Sequence, residues 1–258
     1  MKHSPINWKV FIILFIGSLI GIIGVIPYSL TLQEDILSEV PLPMEIVIAI
    51  SIFQSAVLFF VIILVGLFIS KKIGLGAPII ERFVEKEDIA AHLRSIIGIS
   101  IALGIIAGLL IIIGDYIFGL FNSSDLTQIM TIPPPWQGFL VSFYGGINEE
   151  ILLRLFFMSL LIWIFVKLTK SNQASPSSTI VWTAIILSSI LFGLAHLPIV
   201  ASLTMITPVF IARAIILNGI GGIIFGWLYW KKGLESAIIS HFTADIILHA
   251  IFPFFLLL

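Results

Sequence analysis

The sequence predicts an all-α polytopic membrane protein, a transmembrane helical bundle of seven to eight spans. Three observations lead there. Of 258 residues, 59% are hydrophobic and only 10% charged, and mean hydropathy is +1.20, more apolar surface than a soluble fold of this length needs. Uncharged apolar runs of about 20 residues, the length that crosses a bilayer, recur along the chain. Basic residues fall in alternate connections between those runs, as the positive-inside rule requires.

The elements follow in order. Trp8–Leu30 is the first run, with Pro27 near its end; it lacks a small-residue cleavage site and reads as a retained helix. Thr31–Pro43 carries Glu34, Asp35 and Glu39 but no Lys or Arg. Met44–Ser70 is the second span. Lys71–Arg94 is the longest polar segment, and its Glu81–Arg94 part is expected to form a short surface helix. Ser95–Leu120 is the third span. Phe121–Trp136 is a connection with Asp125 and the rigid triplet Pro133-Pro134-Pro135. Gln137–Val166 is the fourth span and ends at Lys167 and Lys170. After the linker Ser171–Ser178 come Thr179–Leu197, then Ser202–Trp230 closed by Lys231 and Lys232, then Ser236–Leu258. An eighth span arises if 202–230 is a broken pair. The basic connections put the N-terminus in the cytoplasm. Gly17/Gly21, Gly104/Gly108 and Gly222/Gly226 are spaced for close helix packing.

Net charge is −1, so nothing draws the chain to nucleic acid. With no cysteine, disulfides, thiolate metal sites and a cysteine nucleophile are excluded.

Function is sought in the ionisable groups inside the spans, because each costs on the order of 2.5–3.5 kcal/mol at a bilayer-helix centre on insertion scales. Glu149, Glu150 and Arg154 lie in the fourth span, His196 at the end of the fifth, and His241 and Asp245 in the last. Glu150 and Arg154 are four apart and face one another on a helix. Glu149 is turned about 100° away and is left without a local partner, which makes it the candidate proton acceptor. His241 and Asp245 are also four apart; such a pair serves as half of a metal site, as an acid–base pair or as a plain hydrogen bond. Asp115 and Arg213 read as groups near the far interface, the latter by snorkelling. His249 lies two turns beyond His241, about 12 Å on, and reads as a packing or interfacial histidine.

Glu149-Glu150-x-x-x-Arg154, Phe192-x-x-x-His196 and His241-x-x-x-Asp245, in that order, resemble the CAAX-protease and bacteriocin-processing family of intramembrane proteases. The resemblance covers about 136–250. It divides the chain into 1–135, three spans without a recognised motif, and 136–258, a core like the family's. It implies hydrolysis of a peptide bond in a membrane-associated peptide or protein. By carry-over Glu149 activates water with His196 helping to position it, Arg154 holds Glu150 as support, and His241 with residue 245 stabilises the oxyanion. The resemblance also implies a multi-pass protein of the lipid bilayer, expected in the plasma membrane of a prokaryote.

The chain departs from the family pattern at Asp245, where asparagine is common. An asparagine amide donates to an oxyanion and an ionised aspartate does not. Asp245 is then protonated, or orients His241, or binds a metal. Two histidines and a carboxylate form an ordinary zinc set, so His196 and His241 with Glu149 or Asp245 are candidate ligands. Both cofactor readings, no cofactor or Zn2+, stay open. Straight spans pose one difficulty: they set His196 and His241 at depths differing by about 10–20 Å, at 1.5 Å per residue. Two rival functions remain. One is a non-proteolytic immunity or scaffold protein of the same fold. The other is a proton-coupled transporter, which would more usually carry inverted repeats, and none is found.

Overall fold

The computed structural model describes residues 6–121, 132–203 and 205–256. Among them there is no strand. Seven helices are long and apolar enough to cross a membrane: Trp8–Leu32, Met44–Lys72, Ala90–Leu120, Pro135–Leu168, Ser178–Ala201, Pro208–Lys232 and Leu234–Phe255. The all-α polytopic bundle is therefore the fold. Most of the Phe121–Trp136 connection lies outside the described residues.

Local chemistry sets the helix ends. Asn7 opens the first span, its side-chain oxygen accepting from Lys9 N at 3.2 Å. Ser177 opens the fifth by accepting from Ile180 N. Thr207 opens the sixth by accepting from Phe210 N, with Pro208 at the first helical position. Lys71 and Lys72 end the second span and Lys231 and Lys232 the sixth, where cations complement the helix dipole. The sixth and seventh spans are joined through the single residue Gly233 at φ 96°, left-handed backbone that glycine adopts without strain.

Two expectations are corrected. The polar segment does not form a helix over Glu81–Arg94. A short helix runs Pro78–Val84, and Lys86 at φ 61° breaks it. Asp88 then accepts from Ala90 N at 2.8 Å and starts the third span. There is also no eighth span among the described residues, because Pro208–Lys232 is one continuous helix.

Packing follows a division of each helix into two faces. On the first span Ile12, Ile16, Ile20 and Ile23 point outward, while Phe11, Leu14, Ser18, Gly21 and Ile22 are buried. That outward stripe is suited to lipid. The glycine pairs do provide close approaches: a Cβ at Gly104 would lie 2.7 Å from Thr243 Cβ, and one at Gly222 2.7 Å from Ser189 Cβ. The fourth span touches the first, second, fifth, sixth and seventh. Its most apolar stretch is 44% buried, the largest share of any span. The charged motif therefore lies on the central helix.

Candidate active site

The fourth span does not carry its charges on an α-helix. Tyr144–Glu149 and Ile151–Met158 are wound as π-helix, and so is Ile246–Ile251 in the seventh span. Such i→i+5 winding is rare and is frequently found at functional sites. Gly145 and Gly146 stand at the first π segment and bring the seventh span close. A Cβ on Gly145 would fall on the Asp245 carboxylate and lie 3.3 Å from His241 Nε2, and one on Gly146 would lie 2.8 Å from Phe242 Cβ.

His241 is the hub of the arrangement. Its Nδ1 is 2.8 Å from Glu150 Oε1. Its Nε2 is 3.7 Å from Glu149 Oε2 and 3.5 Å from Asp245 Oδ1. A carboxylate only accepts, so the Nδ1 proton of His241 donates to Glu150, and Nε2 is the nitrogen turned toward Glu149 and Asp245. The other oxygen of Glu150 is 3.3 Å from Arg154 Nε, and both of those side chains are fully buried. Arg154 also donates from Nη2 to Gly222 O at 3.4 Å. The guanidinium lies 5.6 Å from the Phe192 ring and 5.8 Å from the Phe225 ring. Phe225 stacks on the imidazole of His241 at 4.5 Å.

The two glutamates are thereby separated in role by exposure as well as by partner. Glu150 is wholly enclosed, whereas the side chain of Glu149 is 23% exposed. Glu149 is thus the more open carboxylate of the two. Its own helix leaves it without a partner, as the spacing predicts, and the seventh span brings His241 Nε2 to 3.7 Å.

His196 occupies a turn between Ala195, where one helical piece of the fifth span ends, and Leu197, where the next begins. Pro198 lacks the N–H that would continue the ladder and accounts for the break. The Nδ1 proton of His196 donates to Phe192 O at 2.8 Å, which leaves Nε2 as the lone-pair nitrogen. The Phe192 ring lies 4.9 Å from the His196 ring and 5.7 Å from the His241 ring. The two histidines thus share the Phe192 ring as a neighbour.

Among the described residues no group of three His, Asp or Glu side chains is set to hold an ion. His196 and His241 with Glu149 or Asp245 are not gathered as such a group among the described residues.

Asp115 and Arg213 pair with one another, Nε to Oδ1 at 2.6 Å, rather than with the site. The sequence reading missed several residues that surround it. Asn148 donates to Ser18 Oγ at 2.8 Å and ties the first span beside the motif. Tyr28 OH lies 3.3 Å from His249 Nδ1, and His249 Nε2 lies 4.0 Å from Asp245 Oδ1. A polar tip on Tyr28 late in an apolar run was the available signal. Phe225 gave none, since a phenylalanine in a span is ordinary.

Residues 131–247 match the family described as Rce1-like, type II CAAX prenyl endopeptidase Rce1-like. The resemblance read from the three motifs is shown over that segment, and at the level of the family it is one of CAAX-type membrane protease. No curated protein and no solved structure matches the chain.

Proposed function

We propose that this chain, Rce1-like over 131–247, is an intramembrane endopeptidase acting on a membrane-associated peptide or protein, with its N-terminus in the cytoplasm. The observation that carries the reading is the pairing of a half-open carboxylate, Glu149, with the Nε2 side of a buried histidine, His241, whose other nitrogen is fixed by Glu150 and Arg154.

Water beside Glu149 gives up a proton to its carboxylate as its oxygen bonds to the scissile carbonyl carbon. The carbonyl π electrons move onto the oxygen. When the tetrahedral species collapses, the C–N bond breaks and the proton held by Glu149 passes to the leaving amine. His196 contributes the lone pair at Nε2, which accepts from that water and orients it. His241 in its doubly protonated form donates from Nε2 to the developing oxyanion while Nδ1 donates to Glu150. Arg154 holds Glu150, and Glu150 holds the imidazole of His241, so neither must touch substrate. The apolar wall keeps bulk water from competing with these contacts.

The test uses an internally quenched farnesylated peptide with a CAAX terminus, presented to the protein in proteoliposomes. Wild-type protein is expected to cleave it and E149Q to be inert while eluting and unfolding as wild type does. Full activity in E149Q refutes the role of Glu149, and an inert wild-type protein refutes the proteolytic reading.

A further inference from the structure

The amide usual at position 245 in the resembling family would be a hydrogen-bond donor, and Asp245 is a carboxylate. A site that gathers Glu149, Glu150 and Asp245 around one imidazole is rich in acceptors. It is short of donors for an oxygen that becomes negative. His249, one helical step beyond Asp245 on the π-wound stretch Ile246–Ile251, corrects that shortage.

Three contacts surround it. The tautomer with its proton on Nε2 points that proton toward Asp245 Oδ1, an acceptor. Its Nδ1 is then the lone-pair nitrogen and accepts from Tyr28 OH at 3.3 Å. The Tyr28 ring meets the imidazole edge to face at 5.5 Å and fixes its plane. The distance from Nε2 to Asp245 Oδ1 is 4.0 Å, beyond hydrogen-bond reach. Among the described residues the Nε2–H bond therefore has no hydrogen-bond acceptor. The side chain is 37% exposed, against 6% for His241, so another oxygen has room to approach it. Asp245 Oδ1 lies between the two histidines, 3.5 Å from His241 Nε2 and 4.0 Å from His249 Nε2.

We propose that His249, fixed by Tyr28 of the first span, is the hydrogen-bond donor that this site uses in place of an amide at position 245. It donates from Nε2 to the oxygen of the scissile carbonyl. The donation stabilises the charge that forms there as water adds, and no proton is transferred. This role rests on the endopeptidase reading. It makes His249 a catalytic residue and Tyr28 a positioning residue that holds its tautomer.

The experiment uses the full chain in proteoliposomes with the farnesylated peptide. Cleavage by wild-type protein and its loss in E149Q are established first, so the failure of that reading is seen separately. H249F is then expected to lower kcat by about 10²-fold, as loss of one oxyanion donor does, with KM little changed. H249Q, whose amide donates, recovers part of the loss. In a D245N background the amide at 245 supplies the donor, and the same H249F change costs less than about tenfold, a non-additivity expected of groups sharing one task. Unchanged kcat in H249F overturns the proposal, and so does an equal loss in the two backgrounds. Should H249F fail to fold, Y28F decides instead: it is expected to lower kcat with KM unchanged, and wild-type kcat in Y28F overturns the proposal.

Discussion

R154M is expected to be the most destabilising single change in the site. Arg154 faces Glu150 at 3.3 Å with both side chains fully buried. It donates to Gly222 O and lies beside the rings of Phe192 and Phe225. Methionine matches much of the apolar stem but leaves the Glu150 charge enclosed without its cation. Breaking a buried pair in this way costs about 3–5 kcal/mol. For a chain of this size each kcal/mol moves the midpoint by about 2–4 °C, so a fall of roughly 6–20 °C is expected. The double variant E150Q/R154M removes the charge with its partner, and the introduced amide oxygen still accepts from His241 Nδ1. It is expected to recover at least half of the fall. The readout is the apparent unfolding midpoint in detergent from tryptophan fluorescence, for which the chain has six reporters. A single variant within about 2 °C of wild type, or a double variant no more stable than the single, would refute the account of Arg154 as a counter-charge.

G145A is expected to cost activity by about 10²-fold or more, since misplacement of about 1 Å at a site has that effect; its Cβ falls on the Asp245 carboxylate. Wild-type kcat in G145A would show that the fourth and seventh spans need not meet as closely as described. Outside the membrane, burial raises the Glu81 carboxyl above its ordinary value, and repulsion from Glu85 adds to that. The folded chain then holds the proton longer than the unfolded chain does, so stability falls as pH rises from the unfolded to the folded value. E81Q is expected to gain on wild type across that window and to keep the gain at neutral pH, by only about 1 °C because solvent screens a side chain that is only partly enclosed. A wild-type protein that gains on E81Q with rising pH would contradict the sign.

Composition and run length were enough to read the bundle, because a span leaves its length and its lack of charge in the sequence. The i,i+4 pairs were legible for the same local reason: Glu150 with Arg154, and His241 with Asp245, meet within one helix. What the sequence could not carry was the partner across helices. Glu149 read as solitary because its neighbour is 92 positions away on another span. Periodicity at 3.6 also hid the π winding, since a π stretch of apolar residues has no composition of its own. His249 read as a packing residue because two α-helical turns separate it from His241. Asp245, which stands between them, shortens that separation to two contacts. The broken fifth span was half-visible: Pro198 marked the break, but not that the break sets His196 against Phe192.

The first span bears on the site more than a motif search suggests. Gly17, Gly21 and Gly24 lie against Ile147, Tyr144 and Leu140 in turn, so the span runs antiparallel to the charged helix at backbone distance. Ser18 on the same face accepts from Nδ2 of Asn148, a buried amide next to Glu149. Tyr28, about three turns on from Ser18, reaches His249. Those positions, 17, 18, 21, 24 and 28, form one helical stripe, and the stripe is small or polar where the opposite face is isoleucine. A small stripe allows the approach that lets Ser18 and Tyr28 reach the site, and replacing it with bulk would move the fourth helix before it touched any catalytic group. The three motifs therefore mark where the buried ionisable groups gather. The geometry that holds it extends to a span that carries none of them.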